Sequence, residues 1–300
     1  MGMPYGFDEN KNKIPMTPPQ NDIVNGDFQI NRRGRTSYDF NKNGEYGIDC
    51  WQHRQGDYYG AIVIEPLEGG GIKTTLNAKT GAGFRQYVKK DSSVVGKKRT
   101  VLINVDNKEY SGTVTLSKSV QSAIENDIFK LEVWYEDTTQ SIVYSLWYAR
   151  DVIKYPESET HNVYYACMWE GSTKYKHQKE DYTTALMRCV AIEKEILLWE
   201  GTLTKGQSAI IDGLNNFDSI KLFITNIGEI HVKRDYDGRC NGVKNSKVNG
   251  SENYFFSFAN IIVNQENNNL INDGCYYTAV QNVTALPTKS ESITKIWGVS

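Results

Sequence analysis

The sequence predicts an all-β protein with two β-sandwich domains and a short, helical connector between them. Three observations carry that prediction. Asn-Gly and Asp-Gly pairs recur at 25–26, 43–44, 212–213, 237–238, 241–242, 249–250 and 273–274, and such pairs supply the positive φ values that tight hairpin turns need. Short runs between them alternate apolar and polar residues with period two, the pattern of half-buried strands. Aromatic residues are plentiful, with 19 tyrosines and 6 tryptophans, which suits pleated surfaces and argues against disorder.

Along the chain, residues 1–21 read as an extended leader. Four of the seven prolines stand there, Pro4, Pro15, Pro18 and Pro19, and proline removes a ladder donor. Residues 22–155 read as the first β domain. Within it Phe129, Leu131, Val133 and Tyr135 share one strand face, and Lys130, Glu132 and Trp134 share the other. Residues 156–195 read as the connector. Its Glu180–Ile196 stretch lacks Gly and Pro and is rich in helix formers; a helix there places Tyr182, Leu186, Cys189 and Glu193 on one face. Residues 196–300 read as the second β domain, with Ile220, Leu222 and Ile224 on one strand face and Tyr254, Phe256 and Phe258 on another.

Composition narrows the function. A net charge of -2 leaves no basic excess to neutralise a phosphate backbone, which argues against nucleic-acid binding. No run approaches ~18 apolar residues, so no membrane insertion is expected. No apolar stretch follows a basic start, so no signal peptide is expected either. The five cysteines are widely spaced without a CxxC pair, which excludes a zinc ribbon and reads as reduced thiols from a cytoplasm.

The spaced set Asn25-Gly-Asp-Phe28, Asn31-Arg-Arg-Gly34, Tyr46 and Asp49-Cys-Trp51, followed by Phe84-Arg-Gln-Tyr87, resembles the opening of a jelly-roll domain found in phage and prophage tail proteins. The same opening is similar to carbohydrate-binding modules, with Gln29 where they carry Glu and Ile30-Asn31-Arg32 where the tail domains carry Trp-Gln before Arg-Gly. Tyr5-Gly-Phe7 resembles leaders of tail-associated proteins, and Ile196–Gly201 with Ile293–Val299 resembles a domain that closes them. These matches touch both domains but cover a minority of positions. The resemblance implies a virion tail component, assembled in a bacterial cytoplasm, whose partners are a host cell-surface glycan and other tail proteins. It also implies a homo-oligomer, in fibres a trimer, although the sequence holds no heptads or triple-stranded repeat.

The chemistry of other classes is thin. No two of His53, His161, His177 and His231 have metal-ligand spacing, and no GxSxG or P-loop occurs. Asp39-Phe-Asn41-Lys-Asn43-Gly44 matches the first half of a calcium loop, but Cys50 stands where the closing acid belongs; a hairpin turn is the competing reading. Related sugar-binding jelly rolls imply a structural calcium near the first strand, with Asp27 as its ligand. No other cofactor is expected. Glu132 and Glu136 are the candidate pair for glycoside hydrolysis, but a chain with 36 acidic residues always offers some pair. The stronger signal is aromatic. Trp134, on the polar face of its strand, offers a flat ring for the apolar face of a sugar. Arg85 and Gln86, from the jelly-roll match, are its hydrogen-bonding companions, and Tyr58-Tyr59 is a second aromatic candidate. Trp51 and Trp297 are expected in the cores. The expectation is thus a non-catalytic receptor-binding protein of a phage tail. Its rivals are a structural tail-tip or baseplate component without a glycan site, and a glycosidase.

Overall fold

The computed structural model describes residues 5–7, 13–15, 19–40, 46–55, 61–77, 81–148, 158–234, 239–247, 254–264, 267–281, 284–285 and 289–299. Among the described residues the chain is all-β apart from one α-helix and two short 3-10 turns, and it forms two compact units, residues 1–31 with 36–192, and residues 32–35 with 193–300.

Within the leader, expected to be extended, β1 (Tyr5–Phe7) pairs with β2 (Lys13–Pro15) over three residues. The rest of the first unit is a sandwich of two antiparallel sheets. One sheet runs in the order β10 (Gln121–Glu125), β11 (Lys130–Glu136), β12 (Ser141–Tyr148), β7 (Ala82–Lys89) and β4 (Gln52–Gln55). The other runs β3 (Tyr38–Phe40), β5 (Ala61–Pro66), β6 (Ile72–Asn77), β13 (Glu159–Glu170), β8 (Lys98–Val105) and β9 (Lys108–Thr115). Phe129, Leu131, Val133 and Tyr135 enter the shared core as their alternation predicts. Trp51 enters with them and packs against Phe28 at 5.1 Å and Phe84 at 5.3 Å between ring centroids.

Several expectations are corrected. Residues 156–195 are no connector, because β13 lies between β6 and β8 at the centre of its sheet. The helix is α1 (Tyr182–Ile192), started by the Asp181 side chain, which accepts the Thr184 amide at 3.1 Å. Its buried positions are Ala185 and Cys189, with Tyr182 exposed, because only the small face fits against Val24, Ile30 and Cys50. Residues 25–28 form a turn instead of a first strand, with Asn25 and Phe28 at φ 52° and 53°. Asn241-Gly242 lies inside a strand, and Asp273-Gly274 sits at a bulge where Asn260 faces Gly274 and Ile261 faces Asn272. Among the described residues, Asp106-Asn107 makes a two-residue hairpin between β8 and β9, with both φ positive as that turn demands, and the predicted turn pairs at 43–44, 237–238 and 249–250 lie outside those residues.

The second unit is one continuous antiparallel sheet. Its order is β14 (Glu195–Leu203), β23 (Ile293–Val299), β16 (Ser219–Ile224), β17 (Gly228–Arg234), β18 (Arg239–Lys247), β19 (Tyr254–Asn264), β20 (Asn269–Gln281) and β15 (Ser208–Ile210), while β21 (Thr284–Ala285) and β22 (Lys289–Glu291) add to β20. Residues 204–207 alone join β14 and β15, which are the two ends of this path, so the sheet must curl to bring its ends together. Ile220, Leu222 and Ile224 line the enclosed core. Tyr254, Phe256 and Phe258 belong to β19, but their side chains lie outside the described residues. Trp297 is not core: it is half-buried on the opposite face, under the Lys221 ammonium at 4.5 Å. Arg32 and Arg33 belong to this unit, where they pair with Glu193 at 3.7 and 3.3 Å.

In the first unit, residues 21–30 lie beside β13, where the Asp22 amide donates to the Met168 carbonyl at 2.8 Å and the Ala166 amide to the Gly26 carbonyl at 2.9 Å, and side chains satisfy much of the remaining backbone. Asn25 Nδ2 donates to the Ile30 and Asp49 carbonyls at 2.9 and 3.1 Å, and its Oδ1 accepts the Ile30 amide at 2.9 Å. Gln86 accepts the Val24 amide and donates to the Val24 carbonyl, both at 2.7 Å. Asn25→Ala removes three buried hydrogen bonds and should destabilise the chain by about 3 kcal/mol or more in urea unfolding. Gln86→Leu should cost about 2 kcal/mol or more, because the Val24 groups lose both partners in a dry site. A loss under about 0.5 kcal/mol in either variant would show that water replaces these bonds.

Candidate functional site

The outward face of the five-stranded sheet is set by strand register. Opposite positions place Glu132, Ser145, Arg85 and Gln52 in one row across β11, β12, β7 and β4. The next row is Lys130, Trp147, Gly83 and Arg54, and on the other side Trp134, Val143 and Tyr87 line up. Two indoles, a phenol, two guanidiniums, a carboxylate and a carboxamide therefore share one surface. Val143 and Ser145 are fully buried and form its floor.

Arg54 organises this surface. Its guanidinium carbon lies 4.8 Å from the Trp147 ring centre and 5.5 Å from that of Trp134. The same group pairs with Glu132 and donates to Ser145 Oγ at 2.8 Å. A planar cation held by a carboxylate and a hydroxyl fixes both rings through their quadrupoles. Gly83 stands between Trp147 and Arg54 in the row. A Cβ there would come 2.0 Å from the Leu146 carbonyl oxygen, so Gly83 lets the two strands approach closely, and one on Gly81 would come 2.3 Å from the Trp147 ring, so Gly81 makes room for the indole. The Arg85 guanidinium lies 5.2 Å from the Tyr87 ring centre. Burial pushes the Tyr87 hydroxyl above the ordinary phenol range and the cations Arg85 and Arg54 oppose it, with Glu136 adding to the rise. The phenol therefore stays protonated as a hydrogen-bond donor at neutral pH.

Trp134 and Arg85 thus lie on the same face. Gln86 does not: one residue along a strand reverses the side, and its amide is committed to Val24 in the interior. Tyr58, Tyr59, Asn41 and Asn43 lie outside the described residues. Asp39 is exposed on β3. Asp27 does not fit a calcium ligand, because its two carboxylate oxygens accept from His177 Nε2 at 2.7 Å and the Glu180 amide at 3.0 Å. Among the described residues, no cluster of three or more His, Cys, Asp or Glu side chains could hold a metal ion. Of the proposed carboxylate pair, Glu132 is taken by Arg54, and Glu136 accepts the Thr139 hydroxyl at 2.7 Å.

Trp147, Arg54, Tyr87 and Gln52 are the members of this face that sequence reading misses. Trp147 lies in Ser141–Tyr148, where nearly every residue is buried, so no alternation marks its side. Arg54 follows the buried His53 in a strand of only four residues, too short to show a period. No protein-family model, curated protein or solved structure matches this chain.

Removing the guanidinium frees both rings. Arg54→Ala should shift the tryptophan emission spectrum and lower stability by about 1–2 kcal/mol, with Arg54→Lys intermediate because an ammonium cannot stack as a plane. Superimposable emission spectra for Arg54→Ala and the parent would refute its role in holding the rings.

Proposed function

We propose that the chain is a receptor-binding component of a phage or prophage tail, and that the outward face of the five-stranded sheet binds a host cell-surface glycan without chemical change. One observation supports the reading: Trp134, Trp147 and Tyr87 share a sheet face with Arg54, Glu132, Arg85 and Gln52. A pyranose ring has an apolar C–H face and a rim of hydroxyls. Flat rings cover the first, and fixed guanidinium, carboxylate and amide groups address the second. The rigid β11–β12–β7 ladder lowers the ordering cost of binding, because the partners are placed before the ligand arrives.

A structural tail component is the second reading, and the second unit supports it. Leu197 and Phe223 are exposed there, on the side of the sheet that also carries the half-buried Trp297. Apolar side chains spread over a solvent-facing sheet suit contact with another subunit.

A glycan array of cell-wall and capsular polysaccharides, probed with the full chain, separates the two. The glycan reading expects saturable binding to a defined polysaccharide with no sugar released over time. Trp134→Ala and Trp147→Ala, each checked by circular dichroism, should each weaken binding about tenfold, the loss of roughly one aromatic contact. Binding that neither substitution changes, or no binding to any surface polysaccharide by the folded protein, would reject the glycan site and favour the structural role.

A further inference from the structure

The other sheet of the first unit carries a second constellation, which the glycan reading does not use. Cys167 and Tyr165 project from the outward side of β13, and the segment that follows the strand folds back over them. Cys167 Sγ lies 3.4 Å from Nδ1 of His177. Nε2 of the same ring lies 2.7 Å from Oδ1 of Asp27. The second Asp27 oxygen accepts the Glu180 amide at 3.0 Å, so the carboxylate is anchored. Tyr165 stacks on the imidazole with centroids 3.9 Å apart and planes 12° apart, and its hydroxyl donates to Glu109 at 2.7 Å. Asp27, His177 and Tyr165 are each held by a further group.

The tautomer follows from the partners. A carboxylate only accepts, so Nε2 carries the proton and Nδ1 presents its lone pair to the thiol. That is the arrangement of a nucleophile, a general base and an orienting acid, recognised by geometry and not by chain order. A cavity of about 280 Å³ opens at this point, lined by Cys167 and His177 together with Asn21, Trp169, Lys176 and Glu180. Burial pushes the Cys167 thiol well above its ordinary range, and the charges of Asp27 and Glu109 push it further. A thiol that stays protonated needs a base at the moment of attack, and His177 is placed to be that base.

We propose that Cys167, His177 and Asp27 form a base-assisted thiol centre that takes the acyl group of a small ester bound in this cavity. In the first step the Cys167 S–H proton passes to His177 Nδ1 while sulfur bonds to the acyl carbon. The C–O bond to the alcohol then breaks, and the imidazolium returns the proton to the leaving oxygen. Water, activated by the same nitrogen, hydrolyses the thioester to the carboxylic acid and restores the thiol. Cys167 and His177 touch the reacting atoms; Asp27 is a positioning residue. The charged groups around the imidazole are Asp27 from the 25–28 turn, Glu109 from β9, and Lys174, Lys176 and Glu180 from the segment that carries it.

The test uses the full chain with p-nitrophenyl acetate as acyl donor, following p-nitrophenol release and mapping the acetylated peptide by mass spectrometry. A centre of this kind gives acetyl-Cys167 at neutral pH, where burial keeps the thiol itself protonated, and no modification in Cys167→Ala. His177→Gln keeps an amide donor near the Nε2 position for Asp27 but removes the base from sulfur. It should slow acetylation about 100-fold or more, and Asp27→Asn should slow it while leaving the modified residue the same. Circular dichroism confirms that each variant is folded. A native protein whose Cys167 is not acetylated, a rate that keeps climbing with pH toward thiol ionisation, or a folded His177→Gln that reacts like the parent would overturn the proposal and leave His177 as a structural bridge. Failure here leaves the glycan reading untouched, because the array assay reads the opposite sheet.

Discussion

The first unit depends on how one loop is satisfied inside it. Residues 21–30 form a largely buried turn beside β13, and a buried backbone group without a partner costs about 1–3 kcal/mol. Asn25 resolves most of this. Its carboxamide closes on both ends of Ile30 and on the Asp49 carbonyl, while its own carbonyl accepts from the Phe28 amide and from Trp51 Nε1. The chain before it is tied in the same way. Asn21 accepts the Met168 amide and donates to the Ala166 carbonyl, and Arg188 reaches from α1 to the Asn21 carbonyl at 2.6 Å. These bonds permit a phenylalanine at φ 53°, a conformation that bulky residues avoid, because Phe28 then drops between Trp51 and Phe84.

That turn also divides the chemistry of the unit. Consecutive residues point to opposite environments: Phe28 enters the aromatic core, and Asp27 faces His177 on the outer side of the second sheet. The position of Asp27 is therefore inherited from the packing of its neighbour. Gly70 and Gly71 continue the constraint, since the Gly71 amide donates to the Asp27 carbonyl at 2.8 Å and both glycines hold positive φ between β5 and β6. A side chain at Gly70 would come 2.9 Å from that carbonyl oxygen. Glu68-Gly-Gly-Gly71 is thus a turn that supports Asp27.

What could be read from the sequence was whatever obeyed a local period. The Phe129–Tyr135 and Ile220–Ile224 faces follow from alternation alone, and Trp134 falls outward for the same reason. The turn pairs were less faithful. Gly242 and Gly274 sit inside long strands, where cross-strand pairing overrides a dipeptide preference. β13 was illegible because its run from Glu159 to Glu170 mixes polar and aromatic residues, and a bulge between Val163 and Tyr165 breaks its parity. The Asn25 motif was visible as a pattern but not as a fold: its spacing to Trp51 is long-range bonding, and nothing local distinguishes a strand from a turn that side chains complete. Gln86 shows the same limit. A resemblance matched the residue pair Arg85-Gln86 as a unit, whereas a strand must send its two members to opposite faces.

The two sheets of the sandwich differ in what they leave uncovered, and the difference has a physical origin in the chain that follows each. On the five-stranded sheet, long side chains from within the sheet itself cover the floor: Arg54, Trp134 and Trp147 lie over Val143 and Ser145. Such a cover is laid parallel to the sheet, is built of planar groups, and suits a ligand that is itself a flat ring. On the six-stranded sheet, the segment beyond β13 supplies the cover, with His177 stacked on Tyr165 and Tyr175 packed on Trp169. A backbone lying over a sheet brings its own donors, so it removes water and fixes ionisable groups at the same time; the Glu180 amide on Asp27 is one such donor. Water exclusion strengthens electrostatic contacts and raises the cost of free charge. The first arrangement is what the proposed glycan face needs, and the second what the proposed thiol centre needs.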